Sequence, residues 1–228
     1  LVPLKAAAYP DVPERNTMQQ ENRNDPVRLT IDYPDRSLNR ATTFFRLIVA
    51  IPILIVLGSV DGGAWQWSSD QGRAAAAGAG GMLVFGPLVM ILFRQKYPRW
   101  WFNFNLELTR FSTRVMSYLA LMSDGYPSTD EEQWVHLDLE YPDVKQDLNR
   151  WLPLVKWFLA IPHYIVLAVL GVAAVVAVFF AWIAILFTGR YPRGIFTFVE
   201  GVFRWGLRVQ AYAFLLTTDL YPPFRLAA

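Results

Sequence analysis

The 228-residue chain is 54% hydrophobic and 15% aromatic, with 21 Lys and Arg against 19 Asp and Glu and no cysteine. That apolar share and a positive mean hydropathy are high for a water-soluble domain. A formal charge of only +2 argues against a nucleic-acid partner, and the missing cysteines remove disulfides, thiol catalysis and cysteine metal sites together.

Residues 1–26 are polar and proline-containing, with no apolar core of the signal-peptide kind. They read as a cytoplasmic arm. In 27–33, Val27, Leu29, Ile31 and Tyr33 alternate with Arg28, Thr30 and Asp32, the period of a half-buried strand. Val135, Leu137, Leu139 and Tyr141 repeat that pattern, and the two strands are candidates to pair. Next come 41–60 and 74–93, the second without a charge over 20 positions, enough to cross a hydrocarbon core of roughly 30 Å. The run 157–189 also lacks Asp, Glu, Lys and Arg. As one helix it would be on the order of 50 Å long, so it reads as two spans, 151–170 and 172–189, with a tight turn near Gly171. Each pair of spans leads into an amphipathic segment, 99–122 and 193–216. In the first, Asn103, Glu107, Arg110, Arg114 and Ser117 form one polar stripe on an apolar helix.

The order of elements occurs twice. VRLTIDYPD at 27–35 matches VHLDLEYPD at 135–143, offset by 108; LNR and AIP recur at an offset of 110, and ILF and YPR at 94. The first copy therefore carries 16 extra residues between its spans, the Gly-, Ser- and Trp-rich stretch around 58–73. The expected fold class is mainly α and integral to a membrane, as two tandem repeats. Each repeat holds a short cytoplasmic strand, a transmembrane helical hairpin and an interfacial amphipathic helix, four spans in all. The divisions are 1–26 arm, 27–127 first repeat, 128–134 linker and 135–228 second repeat. With four spans, Arg73 is the one basic residue on the far side, whereas Arg40, Arg94, Lys96, Arg99, Arg150, Arg190 and Arg193 flank the near side. The positive-inside rule makes that side cytoplasmic, with both termini there. Reading 99–122 and 193–216 as further spans would bury charges at about 2.5–3.5 kcal/mol each. They are expected at the surface, with Trp100, Trp101, Phe102, Phe196 and Trp205 in the headgroup layer.

The stretches AIPHYIVL (160–167) and FAWIAILFTGRYPRGIFTFVEGVFRWGLRVQAYAFLLTTDLYPPF (180–224) resemble the bacterial membrane-protein family called domain of unknown function 4389. The first copy departs from the pattern at Gln95 and Trp100, where the second has Gly189 and Gly194. The resemblance implies a bacterial inner-membrane, multi-pass location and brings no catalytic residue.

The chemistry-bearing positions are few. Arg46 and Lys156 each stand six residues before a proline, Pro52 and Pro162, and are expected to snorkel to anionic headgroups, while the prolines kink their helices. Arg110/Arg114 and Arg204/Arg208 are i, i+4 pairs, with Glu107 and Glu200 in reach. They make either a satisfied stripe or a surface for anionic lipid or an acidic partner. His163 lies inside a span, as a packing residue or a cofactor ligand, and His136, on a strand, is too remote to complete a two-His metal site. Seven of the ten tyrosines precede proline, where they terminate elements. Gly78, Gly80 and Gly81 give a small-residue face suited to helix packing. Trp65 and Trp67 mark the first copy's loop as a partner contact. With no catalytic triad, phosphate loop or HExxH motif, no enzyme activity, metal or cofactor is expected. The expected role is an accessory, scaffold or assembly subunit of a larger membrane complex. The alternative is a lipid-binding or small-solute transport protein acting as an oligomer.

Overall fold

The computed structural model describes residues 26–60, 78–129 and 131–227, with side chains from 26 to 59, 85 to 129 and 131 to 227. The arm 1–25 and Trp65 and Trp67 lie outside the described residues, and so do the side-chain contacts of the glycine-rich start of the second apolar helix. The protein is mainly helical. In chain order the elements are β1 (Val27–Ile31), α1 (Arg40–Phe44), α2 (Arg46–Val49), α3 (Ile51–Val60), α4 (Gly78–Arg94), α5 (Arg99–Leu119), β2 (Val135–Leu139), α6 (Lys156–Leu159), α7 (Ile161–Thr188) and α8 (Arg193–Gln210). A π-helical turn, Ala211–Leu215, extends α8.

β1 and β2 pair antiparallel, with Leu29 opposite Leu137 at the centre of the register. Alternation places Val27, Leu29, Ile31, Val135 and Leu137 in the core and leaves Arg28, Thr30, His136 and Asp138 outside. The buried face packs with Val199 and Val202 of α8 and Ala181 and Ile185 of α7 in one cluster.

The region read as a second hairpin differs from expectation. There is no turn at Gly171: α7 is one continuous helix of 28 residues. Gly171 has open space where a Cβ would stand, and a lone helical glycine costs only about 1 kcal/mol. The chain reverses instead at Gly189, in the left-handed conformation (φ 73°) that glycine adopts without a Cβ clash. Tyr191 and Pro192 follow, and α8 returns beside α7, with Trp205 touching His163 near the start of α7. The helical hairpin is therefore α7–α8. Among the described residues, α7 is the one helix long and apolar enough to cross a membrane, with 17% of its most apolar window buried. Four spans are not supported: 41–60 is broken into α1, α2 and α3, and α4 has 17 residues.

Pro52 and Pro162 sit in the first turns of α3 and α7 rather than kinking longer helices. A proline ring displaces the carbonyl four residues back, and each preceding helix ends at a buried alanine, Ala50 or Ala160. α5 and α8 are also more enclosed than interfacial helices. Phe102, Phe196 and Trp205 are buried, because one side of each helix meets the sheet layer and the other a neighbouring helix. Trp100 alone of the expected belt is largely exposed; Trp101 lies against Gly86, where a Cβ would collide with its ring at 2.2 Å.

Several tertiary contacts occur twice, at the sequence offsets noted above. The Tyr33 hydroxyl donates to the Tyr191 carbonyl, and the Tyr141 hydroxyl to that of Tyr97. Arg40 donates to Phe187 O at the end of α7, and Arg150 to Leu92 O and Phe93 O at the end of α4. Both arginines meet carbonyls that a helix end leaves without partners. Arg193 lies over the Tyr33 ring, and Arg99 over that of Tyr141.

Candidate functional site

The two basic residues expected near headgroups lie inside the protein. Arg46 is 2% exposed and Lys156 fully buried. Arg46 opens α2 and Lys156 opens α6, and their side chains reach carbonyls at or just beyond the ends of α5 and α8. Arg46 Nη2 stands 2.9 Å from Asp124, and its Nη1 donates to the carbonyls of Tyr118 and Ser123. Lys156 Nζ stands 2.7 Å from Asp219 and donates to Thr218 O. Each cation also lies over a ring, Tyr118 at 4.1 Å and Tyr212 at 5.0 Å. The other carboxylate oxygen of each aspartate accepts a backbone N–H from the LNR motif, Asn39 for Asp124 and Asn149 for Asp219. Snorkelling is thus replaced by a closed ion pair, since a buried charge needs both a counter-charge and hydrogen bonds. Asp124 and Asp219 were missed in the sequence, although each stands two residues before a Tyr-Pro.

The arginine stripes face the strand layer. Arg110 Nε donates to Leu137 O, and its two terminal nitrogens meet Glu107 (2.7 Å) and Asp138 (3.2 Å). Arg204 Nε donates to Leu29 O and pairs with Glu200 at 2.7 Å. Arg114 and Arg208 are buried; Arg114 donates to Ser128 O, and Arg208 to the carbonyls of Arg225 and Ala227. Over the first stripe lies a polar cleft of about 460 Å³, edged by Glu107, Arg110, Arg114, Glu132, His136 and Asp138. His136 holds one ring nitrogen 3.1 Å from Glu132 and the other 3.2 Å from Asp32. These contacts, Glu132 first, raise its pKa above the ordinary value and favour the imidazolium. Over the second stripe runs the chain's own segment 225–227, with Leu226 O accepting from Arg204.

His163 is fully buried at the start of α7. Trp205 Nε1 donates to its Nδ1 at 3.1 Å, which places the ring proton on Nε2. Phe224 stacks on the imidazole at 4.0 Å, and Tyr221 lies 4.8 Å away. Aromatic rings enclose the imidazole, and among the described residues no three His, Cys, Asp or Glu are grouped to hold a metal. Tyr97 is also enclosed: burial pushes its phenol up to about 12, keeping it a donor, here to Leu215 O at 2.9 Å.

A second, apolar cleft was not anticipated. It has a volume of about 340 Å³ and lies between α1–α2 and α7, with Thr43 and Arg46 among walls that include Phe44, Leu47, Phe179 and Trp182. These residues are far apart in sequence, and no period connects them.

Residues 151–225 match the family model described as domain of unknown function (DUF4389). The matched segment contains α6, α7, α8, the Lys156–Asp219 pair and the His163 cage, about a third of the chain. No curated protein and no solved structure matches the chain.

Proposed function

We propose that the protein is a non-catalytic accessory or scaffold subunit of a bacterial inner-membrane complex, seated in the membrane through α7 and the apolar helices beside it. The observation that carries this reading is the outward face of α7. Ile165, Val169, Val172, Val176, Phe180 and Phe187 are all exposed, and Phe45, Leu47, Ile48, Ile51 and Ile55 on the first half's short helices are exposed too. A soluble protein buries its most apolar helix, whereas a surface of this kind serves lipid or a partner. The cations and the cage histidine that a catalytic reading would enlist each hold part of the fold instead, which supports a structural role. Basic residues gather where α4 and α7 end, and the positive-inside bias places that flank, with its anionic lipid headgroups, on the cytoplasmic side.

We infer further that 27–127 and 135–228 are two copies of one unit. The support is the set of twice-made contacts: both cation–aspartate pairs, both tyrosine–carbonyl bonds and both arginine-capped helix ends.

The test is purification of the full-length protein from its native membrane in mild detergent, with mass spectrometry of what remains bound. A stoichiometric membrane-protein partner is expected. A clean monomer with no such partner, or recovery without detergent from the aqueous fraction, refutes the proposal.

A further inference from the structure

The apolar cleft between α1–α2 and α7 has the lining of a small-molecule site. Its walls are rings and aliphatic chains, with Trp182 stacked between Phe44 and Phe179 at 6.2 and 6.1 Å. Two polar atoms lie just behind that surface, in residues that line the cleft. Thr43 Oγ1 and Arg46 Nε are buried without a hydrogen-bond partner, although Thr43 is 1% and Arg46 2% exposed. Buried donors left unpaired are rare in folded proteins and call for a partner. A largely apolar cleft with a few convergent polar groups is the usual form of a small-molecule site.

The polar pair also says what kind of partner. Asp124 already neutralises Arg46, and the other guanidinium nitrogens are engaged. What remains is one N–H and one hydroxyl, a demand for an uncharged acceptor rather than an anion. Leu47 and Phe179 stand largely exposed at the cleft, so it opens on the apolar surface described above.

The other half shows how the cleft would be closed. At the offsets of the repeat, Leu47 corresponds to Trp157, Phe179 to Phe85 and Thr43 to Pro153. There the Trp157 and Phe85 rings meet edge to face at 6.0 Å, Trp157 Nε1 donates to Ala213 O at 2.8 Å, and proline brings no hydroxyl. The first half has a leucine where the second has an indole, and a hydroxyl where the second has none.

We propose that this cleft holds one acyl chain of a membrane glycerophospholipid, with the ester carbonyl accepting from Thr43 Oγ1 and Arg46 Nε. The proposal rests on membrane residence. The full-length protein is reconstituted into phosphatidylcholine vesicles doped with phosphatidylcholine carrying a diazirine beside one acyl ester, irradiated and mapped by peptide mass spectrometry. Crosslinks concentrated on 43–47 and 175–182 are expected. Leu47→Trp should cut them several-fold while leaving labelling of Ile165 and Val169 unchanged. Labelling no denser at 43–47 than at Ile165, or unaltered in Leu47→Trp, overturns the site. Should Leu47→Trp lose its helical circular dichroism, Thr43→Val carries the test through native mass spectrometry in detergent with added phosphatidylcholine. One lipid retained by the wild type and lost in that variant supports the proposal, and no retained lipid overturns it. Retention of free fatty acid without phospholipid overturns the ester assignment. The detergent measurement stands even if the protein fails to enter vesicles, so loss of the membrane reading is distinguishable from loss of the cleft.

Discussion

Removing the charge of Asp219 should destabilise the protein more than removing its partner. Lys156 is fully enclosed, whereas the Asp219 side chain keeps 18% of its exposure. Asp219→Asn preserves the shape and the acceptor for Asn149 N–H but leaves a buried ammonium with only Thr218 O and the face of Tyr212. Breaking a buried pair from one side costs about 3–5 kcal/mol; with water reaching the aspartate, about 2–3 kcal/mol is expected here. At roughly 1.4 kcal/mol per tenfold, that is on the order of a hundredfold in the folding equilibrium. Lys156→Met leaves the charge on the group that water reaches and should cost less, about 1–2 kcal/mol. The double variant buries no charge and should be more stable than Asp219→Asn alone, with a coupling of about 0.5–3 kcal/mol. Reversible chemical unfolding in detergent micelles, followed by circular dichroism, measures all three. If each single variant lay within about 0.5 kcal/mol of wild type, the lysine would be reaching headgroups and the enclosed pair would be refuted.

Three further outcomes follow from the same geometry. His136 bridges Asp32 and Glu132 and titrates above its ordinary value, so its contribution to stability is fully present below about pH 6.5 and is lost as pH rises through the raised pKa. His136→Gln should remove that decline in Tm between neutral and mildly alkaline pH; an unchanged pH profile refutes the bridge. Gln95 holds φ 45° where the second half uses Gly189, so Gln95→Gly removes left-handed strain of about 1–2 kcal/mol against an unfolded-state entropy cost of roughly 0.5–1 kcal/mol. A Tm that rises modestly is expected, and a fall counts against the strain. Because the chain has no native cysteine, Val172→Cys reports on the middle of α7 directly. It should resist a membrane-impermeant maleimide in vesicles and react after detergent is added, whereas reaction without detergent removes α7 from the lipid.

The sequence made the two strands and their inward faces legible, because period-two alternation reports a half-buried strand wherever it is placed. It also made the recurring motifs legible, and with them the correspondence in sequence of Arg46 with Lys156. It did not show what those cations meet. Asp124 and Asp219 stand 78 and 63 residues away, and only the fold decides whether a long cation turns outward to headgroups or inward to a carboxylate. The turn expected within 157–189 is absent for a related reason. Length alone favoured a turn, and Gly171 offered one, but a single glycine is cheap within a helix packed along α8. The signal for the true reversal was Gly189 followed by Tyr191-Pro192, a left-handed helix end and an extended pre-proline residue. The apolar cleft had no sequence signal, being built from three separate stretches of chain around 43–47, 119–121 and 175–182.

The twice-made contacts also change what each half means. Arg40, in the first half, caps α7 of the second, and Arg150, in the second, caps α4 of the first. Tyr33 and Tyr141 cross in the same way, and β1 supplies the carbonyl and amide that Arg204 and Glu200 of α8 require. The halves therefore exchange their leading segments, and each is incomplete without the other. The segment matching the family model, 151–225, lacks β1 and Arg40, so by itself it would expose Val199 and leave the last carbonyls of α7 without their arginine. The two halves differ at corresponding positions. Leu47 stands opposite Trp157 in the alignment, Thr43 opposite Pro153, and Glu107 aligns with Gly201, over which Leu226 closes. At each place the first half leaves room or a polar group where the second is filled by its own chain.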